Sequence, residues 1–142
     1  FAGLLASERQ NGWVIRVKDI QQLAAQWIGR LNIKTINANA RVVELSGGNQ
    51  QKVVIGKGLA QEPRIIIFDE PTRGVDVGAI AEIHHLINEL ADRGIAVVVI
   101  SSYLPEIMNL SDRVLVCRQG RIVEELTPEE TTEEKIMFAA VH

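Results

Sequence analysis

The run Ser46-Gly47-Gly48-Asn49 sets a hydroxyl, two glycines and an amide at the head of a segment with helical periodicity. Gly47 and Gly48 carry no Cβ, so a ligand can approach their backbone closely and positive φ is open to them. From Asn49 to Ala60 the pattern is helical, with Val53, Val54 and Leu59 on one side and Pro63 beyond the end. The first N–H groups of a helix have no internal partner. Together with the helix dipole they attract an anion by a few tenths to about 1 kcal/mol per charge at an exposed end. Ser46 adds a hydroxyl donor, and the chemistry this suits is phosphate binding. The competing interpretation is an ordinary serine cap followed by a Gly-Gly turn.

A second element follows a short distance on. Ile65, Ile66, Ile67 and Phe68 are continuously apolar and lead into Asp69 and Glu70. An unbroken apolar run predicts a strand covered on both faces, as in a parallel sheet between helices. Ligands of open α/β sheets bind at the C-terminal ends of the strands, where the two carboxylates fall. Burying them without a partner is costly. A divalent cation held through Asp69, with Glu70 placing a water, would satisfy both. Two acids capping into the Pro71-Thr72 turn are the plainer alternative.

These motifs resemble the ATPase subunits of ABC transporters. Leu45 to Gln51 is similar to their signature motif, and Arg64 to Glu70 to their Walker B strand and catalytic glutamate. Pro71 to Asp76 is similar to their D-loop. The variant Ser-Gly-Gly-Asn-Gln-Gln-Lys, with Asp69 to Gly78 and Ile100 to Glu106, narrows the resemblance. It points to the second ATPase half of the fused subunits that energise bacterial importers of ribose, arabinose, xylose or galactose. The resemblance extends from about Asp19 to Gly120.

The resemblance implies the C-terminal portion of an α/β P-loop NTPase, a mainly parallel sheet flanked by helices, with part of a helical subdomain. Residues 1–44 would belong to that subdomain. Residues 45–126 would carry the signature, Walker B, D-loop and switch region, and 127–142 a C-terminal helix. It further implies ATP and Mg²⁺ as ligands and ATP hydrolysis driving monosaccharide import. Ser46, Gly47, Gly48, Asn49 and Asp76 would contact nucleotide, Asp69 would hold the metal, and Glu70 with Ser102 would serve catalysis. The implied partners are an N-terminal ATPase half, transmembrane permease subunits and, indirectly, a periplasmic sugar-binding protein. The implied place is the cytoplasmic face of the inner membrane.

Two positions depart from the family pattern. Asn49 stands where most ABC proteins have glutamine, another amide. Ser102 stands at the switch histidine, and serine cannot be a cation or proton relay near neutral pH. The importer resemblance expects serine there in the second half. A non-catalytic, regulatory half therefore remains the alternative for the site served by Asp69 and Glu70. No G-x-x-x-x-G-K-[ST] loop occurs, since Gly56-Lys57-Gly58 lies inside the helical pattern. With Phe1 in place of a start methionine, the expectation is the C-terminal part of a longer protein whose phosphate loop lies elsewhere.

Composition is consistent with this. The chain has 142 residues, 46% hydrophobic, with a net charge of −3. That balance gives no push towards nucleic acid, against a second alternative, a soluble ABC ATPase of DNA repair or translation. Cys117 is a single cysteine in an apolar strand pattern, expected as a buried, reduced thiol. No apolar run approaches the roughly 20 residues of a membrane-spanning helix.

The remaining elements must position these groups. Asp19 to Leu31 predicts an amphipathic helix, with Ile20, Leu23, Ala24, Trp27, Ile28 and Leu31 on one face. Trp27 and Trp13 are expected in cores, with a partner surface as the alternative. Val77 to Arg93 predicts a helix with Ile80, Ile83, Ile87 and Leu90 inward and Gly94 as its stop. Asp76 could cap that helix, reach across a dimer interface, or both. Strands are expected at 95–101 and 112–117, joining 64–69 in one sheet, with a hairpin around Gln119-Gly120. Tyr103 to Leu110 predicts a short helix, and Thr127 to Glu130 a capping box opening the last one.

Overall fold

The first amphipathic stripe takes shape as α1, Val17–Arg30. The computed structural model describes residues 17–35, 37 and 39–142. Trp13 lies outside them. Two compact units divide the chain. One takes the described residues up to Ile66 together with Thr72–Val97, and the other takes Ile67–Pro71 and Val98–His142.

In the first unit α1 is followed by a short 3₁₀ turn, Val42–Glu44, by α2, Gly47–Leu59, and by α3, Val77–Asp92. Its core holds Leu31, Ile33, Ile55 and Leu59 from the first half and Ile83, Leu86, Ile87 and Leu90 from α3. The α3 residues recur at the three- and four-residue spacing that puts them on one face. Gly94, at φ 82, ends that helix in the left-handed region glycine tolerates. Gly56 has a packing reason: a Cβ there would come within 2.8 Å of the Leu31 side chain. Trp27 is half-buried against this same helix, with the Arg30 guanidinium 4.6 Å over its ring. Between α1 and α2 the apolar stripe leaves a cavity of about 240 Å³, lined by Leu23, Trp27, Ile28, Val42, Leu45 and Val53 among others.

β1, Ile65–Asp69, pairs with β2, Ala96–Ile100, in a two-stranded sheet. Ala96 N–H donates to the Arg64 carbonyl at one end, and Glu70 N–H donates to the Ile100 carbonyl at the other. Both strands therefore run the same way. The expected cover on both faces is not seen. Phe68 is buried, but Ile65 and Ile67 are 64% and 65% exposed, and Val98 and Ile100 are 47% and 51% exposed. One face of an apolar strand pair is bare among the described residues.

The second unit contains α4, Leu104–Leu110, then β3, Val114–Arg118, β4, Arg121–Leu126, and α5, Glu133–Val141. β3 and β4 form an antiparallel hairpin with a bulge that leaves Val123 without a paired residue. Gln119 and Gly120 sit at φ 50 and 73, the paired positive values of the tight turn that suits twisted strands. Val114, Val116, Leu126 and Ile136 form the core, backed by Leu104, Ile107 and Met108.

Three expectations are corrected here. Among the described residues β3 pairs only with β4, its neighbour across the two-residue turn, and is not bonded into the parallel sheet. Cys117 is exposed, since the strand alternation that buries Val114 and Val116 turns Leu115 and Cys117 outward. The last helix opens at Glu133, capped by Thr132, whose hydroxyl accepts from Lys135 N–H at 3.3 Å. Thr127 heads only a 3₁₀ turn and makes no side-chain cap bond.

Candidate functional site

β1 delivers Asp69 and Glu70 at its C-terminal end, with Asp69 exposed and Glu70 half-buried. Exposure removes the cost of burial expected for Asp69 and leaves its carboxylate open to a ligand. Glu70 has φ 48, in the left-handed region. For a residue with a side chain that costs of order 1–3 kcal/mol and persists only where the surroundings hold it. Two hydrogen bonds do so. Glu70 N–H donates to the Ile100 carbonyl at 2.7 Å, and its Oε1 accepts from Ser102 N–H at 2.9 Å. Pro71 and Thr72, buried directly after it, fix the exit of the chain. Ser101 Oγ accepts from Tyr103 N–H at 3.0 Å. The structure thus brings Ser102 to Glu70 through the main chain.

The signature residues lie in the first unit. Ser46 is the residue before α2, yet its side chain makes no cap bond to the helix. The first helical bond at that end runs from Gln50 N–H to the Ser46 carbonyl, so the N–H groups of Gly47, Gly48 and Asn49 precede it. Asn49 explains why the hydroxyl is not used as a cap. Its Nδ2 donates to Ser46 Oγ at 2.8 Å, and its Oδ1 accepts from Lys34 N–H at 2.8 Å. The Lys34 amide fixes which way the Asn49 amide faces. With Oγ accepting from Asn49, the Ser46 proton is left to donate outward. An anion would meet N–H groups, a hydroxyl proton and no carboxylate among these contacts.

The two glycines serve different purposes. Neither uses the positive φ open to glycine, and both lie within α2. A Cβ at Gly47 would stand 3.4 Å from the Gly74 carbonyl, ordinary contact. A Cβ at Gly48 would run into the Cβ of Ala79 on α3. Gly48 is buried and lets the two helices touch. Gly74, at φ 73, turns the chain towards α3. Asp76 caps α3, its Oδ1 accepting from Ala79 N–H at 3.1 Å.

Sequence reasoning missed a further pair on this seam. Lys52, 4% exposed, forms a salt bridge with Glu82 of α3 and donates to the Asn32 carbonyl at 3.3 Å. The hydrogen bond from Lys52, then its charge, hold the Glu82 carboxyl below the usual range. A lysine next to a signature gave no cue, because lysine is ordinarily a surface residue.

The family model for ABC transporters matches residues 5–73. The xylose import ATP-binding protein XylG of Moorella thermoacetica is 57% identical over 114 residues, which are 80% of this chain and 23% of that protein. The ribose import ATP-binding protein RbsA of Bacillus licheniformis is 51% identical over 136 residues, 96% of this chain and 27% of that protein. The chain belongs to the ABC transporter ATPases. It spans about a quarter of the length of these curated relatives. Among solved ABC ATPases, a dimeric bacterial ABC transporter cassette superposes with a TM-score of 0.72 at 25% identity, over 89% of this chain and 54% of that one. A cassette in a post-hydrolysis state bound to ADP and Pi matches with a TM-score of 0.73 at 25% identity, over the same 89% and 54%. The ABC ATPase fold accounts for the parallel pair β1–β2 that ends in Asp69 and Glu70. No helix among the described residues is long and apolar enough to cross a membrane.

Proposed function

We propose that this chain is the C-terminal part of an ABC ATPase that binds and hydrolyses ATP to drive monosaccharide import. One observation carries the site reading. The N-terminal N–H groups of α2 and the Ser46 hydroxyl are left available, while Asn49 holds that hydroxyl as an acceptor. Such a terminus suits the γ-phosphate of ATP held by the opposite ATPase half. Ser46, Gly47, Gly48 and Asn49 close over it, and Asp76 faces the same interface while capping α3. Catalysis in this class is positioning and electrostatic stabilisation of the transferring phosphoryl group.

The exposed carboxylate of Asp69 fits a Mg²⁺ ion held through water, which would neutralise developing phosphate charge. Glu70, fixed by Ile100 and Ser102, orients the attacking water. The partners are an N-terminal ATPase half on the same polypeptide, permease subunits and, through them, a periplasmic sugar-binding protein. The location is the cytoplasmic face of the inner membrane, and nucleic acid is not a partner. Residues 1–44 belong to the helical subdomain, 45–126 to the ATPase core and 127–142 to the C-terminal helical segment. The resemblance to xylose and ribose import proteins supports this reading.

A second reading is favoured by Ser102. Its link to Glu70 is a backbone N–H, which supplies neither cation nor proton relay. The site served by Asp69 and Glu70 is then the weaker, regulatory one, while Ser46–Asn49 serve the competent site. Steady-state ATP turnover of the intact protein tests both. Gly47→Asp is expected to abolish most activity by placing a negative charge in the phosphate approach. Glu70→Gln is expected to cost much less than the matching change in the first half. Silence in Glu70→Gln with full activity in Gly47→Asp would invert the assignment.

A further inference from the structure

The signature helix meets the helix after the D-loop along a seam with two very different contacts. At its head, Gly48 faces Ala79 with no room for another methyl group. Small residues allow close approach but do not interlock, so this contact alone leaves the helices free to slide or roll. One turn further, Lys52 follows Gly48 by four residues and Glu82 follows Ala79 by three, so each lies on the same helix face as its predecessor. There the contact is a salt bridge, with Lys52 5% and Glu82 42% exposed at the side chain. The Lys52 ammonium also reaches the Asn32 carbonyl, just past α1, where Asn32 sits at φ 47. Two residues on, Lys34 N–H is held by Asn49 of the signature.

A half-buried ion pair is a poor way to gain stability, because desolvation of Lys52 offsets its attraction. Its directional bonds do fix a register, which an apolar contact between small residues does not. We infer that Lys52 is a positioning residue: its bonds to Glu82 and Asn32 lock the signature Ser46–Asn49 in register with the turn that carries Asp76. The lock rests on the ATPase reading above. It acts on transition-state geometry and leaves ground-state nucleotide contacts, supplied largely by a phosphate loop elsewhere, unchanged.

The test is ATP turnover by the intact importer ATPase carrying this sequence, reconstituted with its permease. The variants are Lys52→Met, Lys52→Arg, Glu82→Gln and the double change Lys52→Met with Glu82→Gln. Misplacing a positioned group costs large factors in rate, so Lys52→Met is expected to lower kcat about tenfold with KM for ATP within about twofold. Glu82→Gln lowers kcat in the same sense, and the double variant is no worse than Lys52→Met, because one lock is broken once. Lys52→Arg, which keeps the charge and the donors, is expected to restore most of the rate. Glu82 is on the rim of the seam, so its variant keeps the test informative should Lys52→Met fold poorly. Full kcat in Glu82→Gln, additive losses in the double variant, or losses that follow the melting temperature alone would overturn the lock. Absence of turnover in the unmodified protein would overturn the proposed function and the lock together. Normal turnover there, with full turnover in Lys52→Met and in Glu82→Gln, would overturn the lock alone.

Discussion

Ser102 holds Glu70 with its main chain: its N–H donates to Glu70 Oε1 at 2.9 Å. The identity of the side chain at 102 is therefore irrelevant to this contact, while proline is forbidden by it. Ser102→Ala is expected to change unfolding free energy by no more than about 0.5 kcal/mol. Ser102→Pro deletes a hydrogen bond to a charged acceptor, worth about 1.5–3 kcal/mol. Urea unfolding of the intact protein reads the difference. Equal effects of the two changes would contradict the backbone role.

Gly48 and Gly47 should respond differently to alanine. At Gly48 the new methyl meets the Ala79 methyl and must push α2 from α3, whereas at Gly47 it meets only the Gly74 carbonyl at 3.4 Å. Overpacking of this kind costs about 1–3 kcal/mol. Gly48→Ala is expected to lower the melting temperature, and Ala79→Gly added to it to restore part of the loss. Gly47→Ala should melt near the parent. A Gly48→Ala protein as stable as the parent would show that the helices do not touch there.

Acid should dissolve the Lys52–Glu82 contribution at a particular point. The folded Glu82 carboxyl lies below its ordinary range because Lys52 bonds to it. A depressed folded value stabilises above the unfolded pKa, and that contribution is lost as pH falls through the folded pKa. Glu82→Gln is expected to be less stable than the parent at neutral pH, with the gap closing only below the usual glutamate range. A gap that closes near neutrality instead would assign the pH dependence to some other group.

The sheet face bearing Ile65, Ile67, Val98 and Ile100 predicts how these 142 residues behave alone. An exposed apolar patch on a short sheet invites association. Sedimentation should show concentration-dependent self-association, and Ile67→Lys with Val98→Lys should suppress it. The isolated residues should neither bind ATP tightly nor hydrolyse it, because no phosphate loop occurs among them. Micromolar ATP affinity by calorimetry would refute that expectation.

Much of this was legible in order and type. The periodicity of α1 and α3, the glycine-led α2 and the acids ending β1 all stand where their residue patterns place them. Local rules suffice for such features, because each depends on neighbours a few residues away. What was hidden depends on distant partners. Gly48 reads as a ligand turn until Ala79 is beside it, and Lys52 reads as surface until Glu82 and Asn32 surround it. Cys117 was misjudged because four apolar residues in a row do not reveal which alternate ones face α5. Thr127 and Thr132 both precede helical runs, and only Thr132 caps with its side chain, while Thr127 heads a 3₁₀ turn.

The backbone at Glu70 also bears on how this position tolerates replacement. A residue at φ 48 is more comfortable as glycine or asparagine, so replacing Glu70 by either relieves about 1 kcal/mol of conformational cost before any lost hydrogen bond is counted. The bond from Ser102 N–H outweighs that relief, at about 1.5–3 kcal/mol for a charged acceptor, so the carboxylate is what makes this backbone conformation tolerable. Replacement by glycine exchanges one cost for a larger one, and replacement by a side chain that keeps an oxygen acceptor inherits the strain without losing its support.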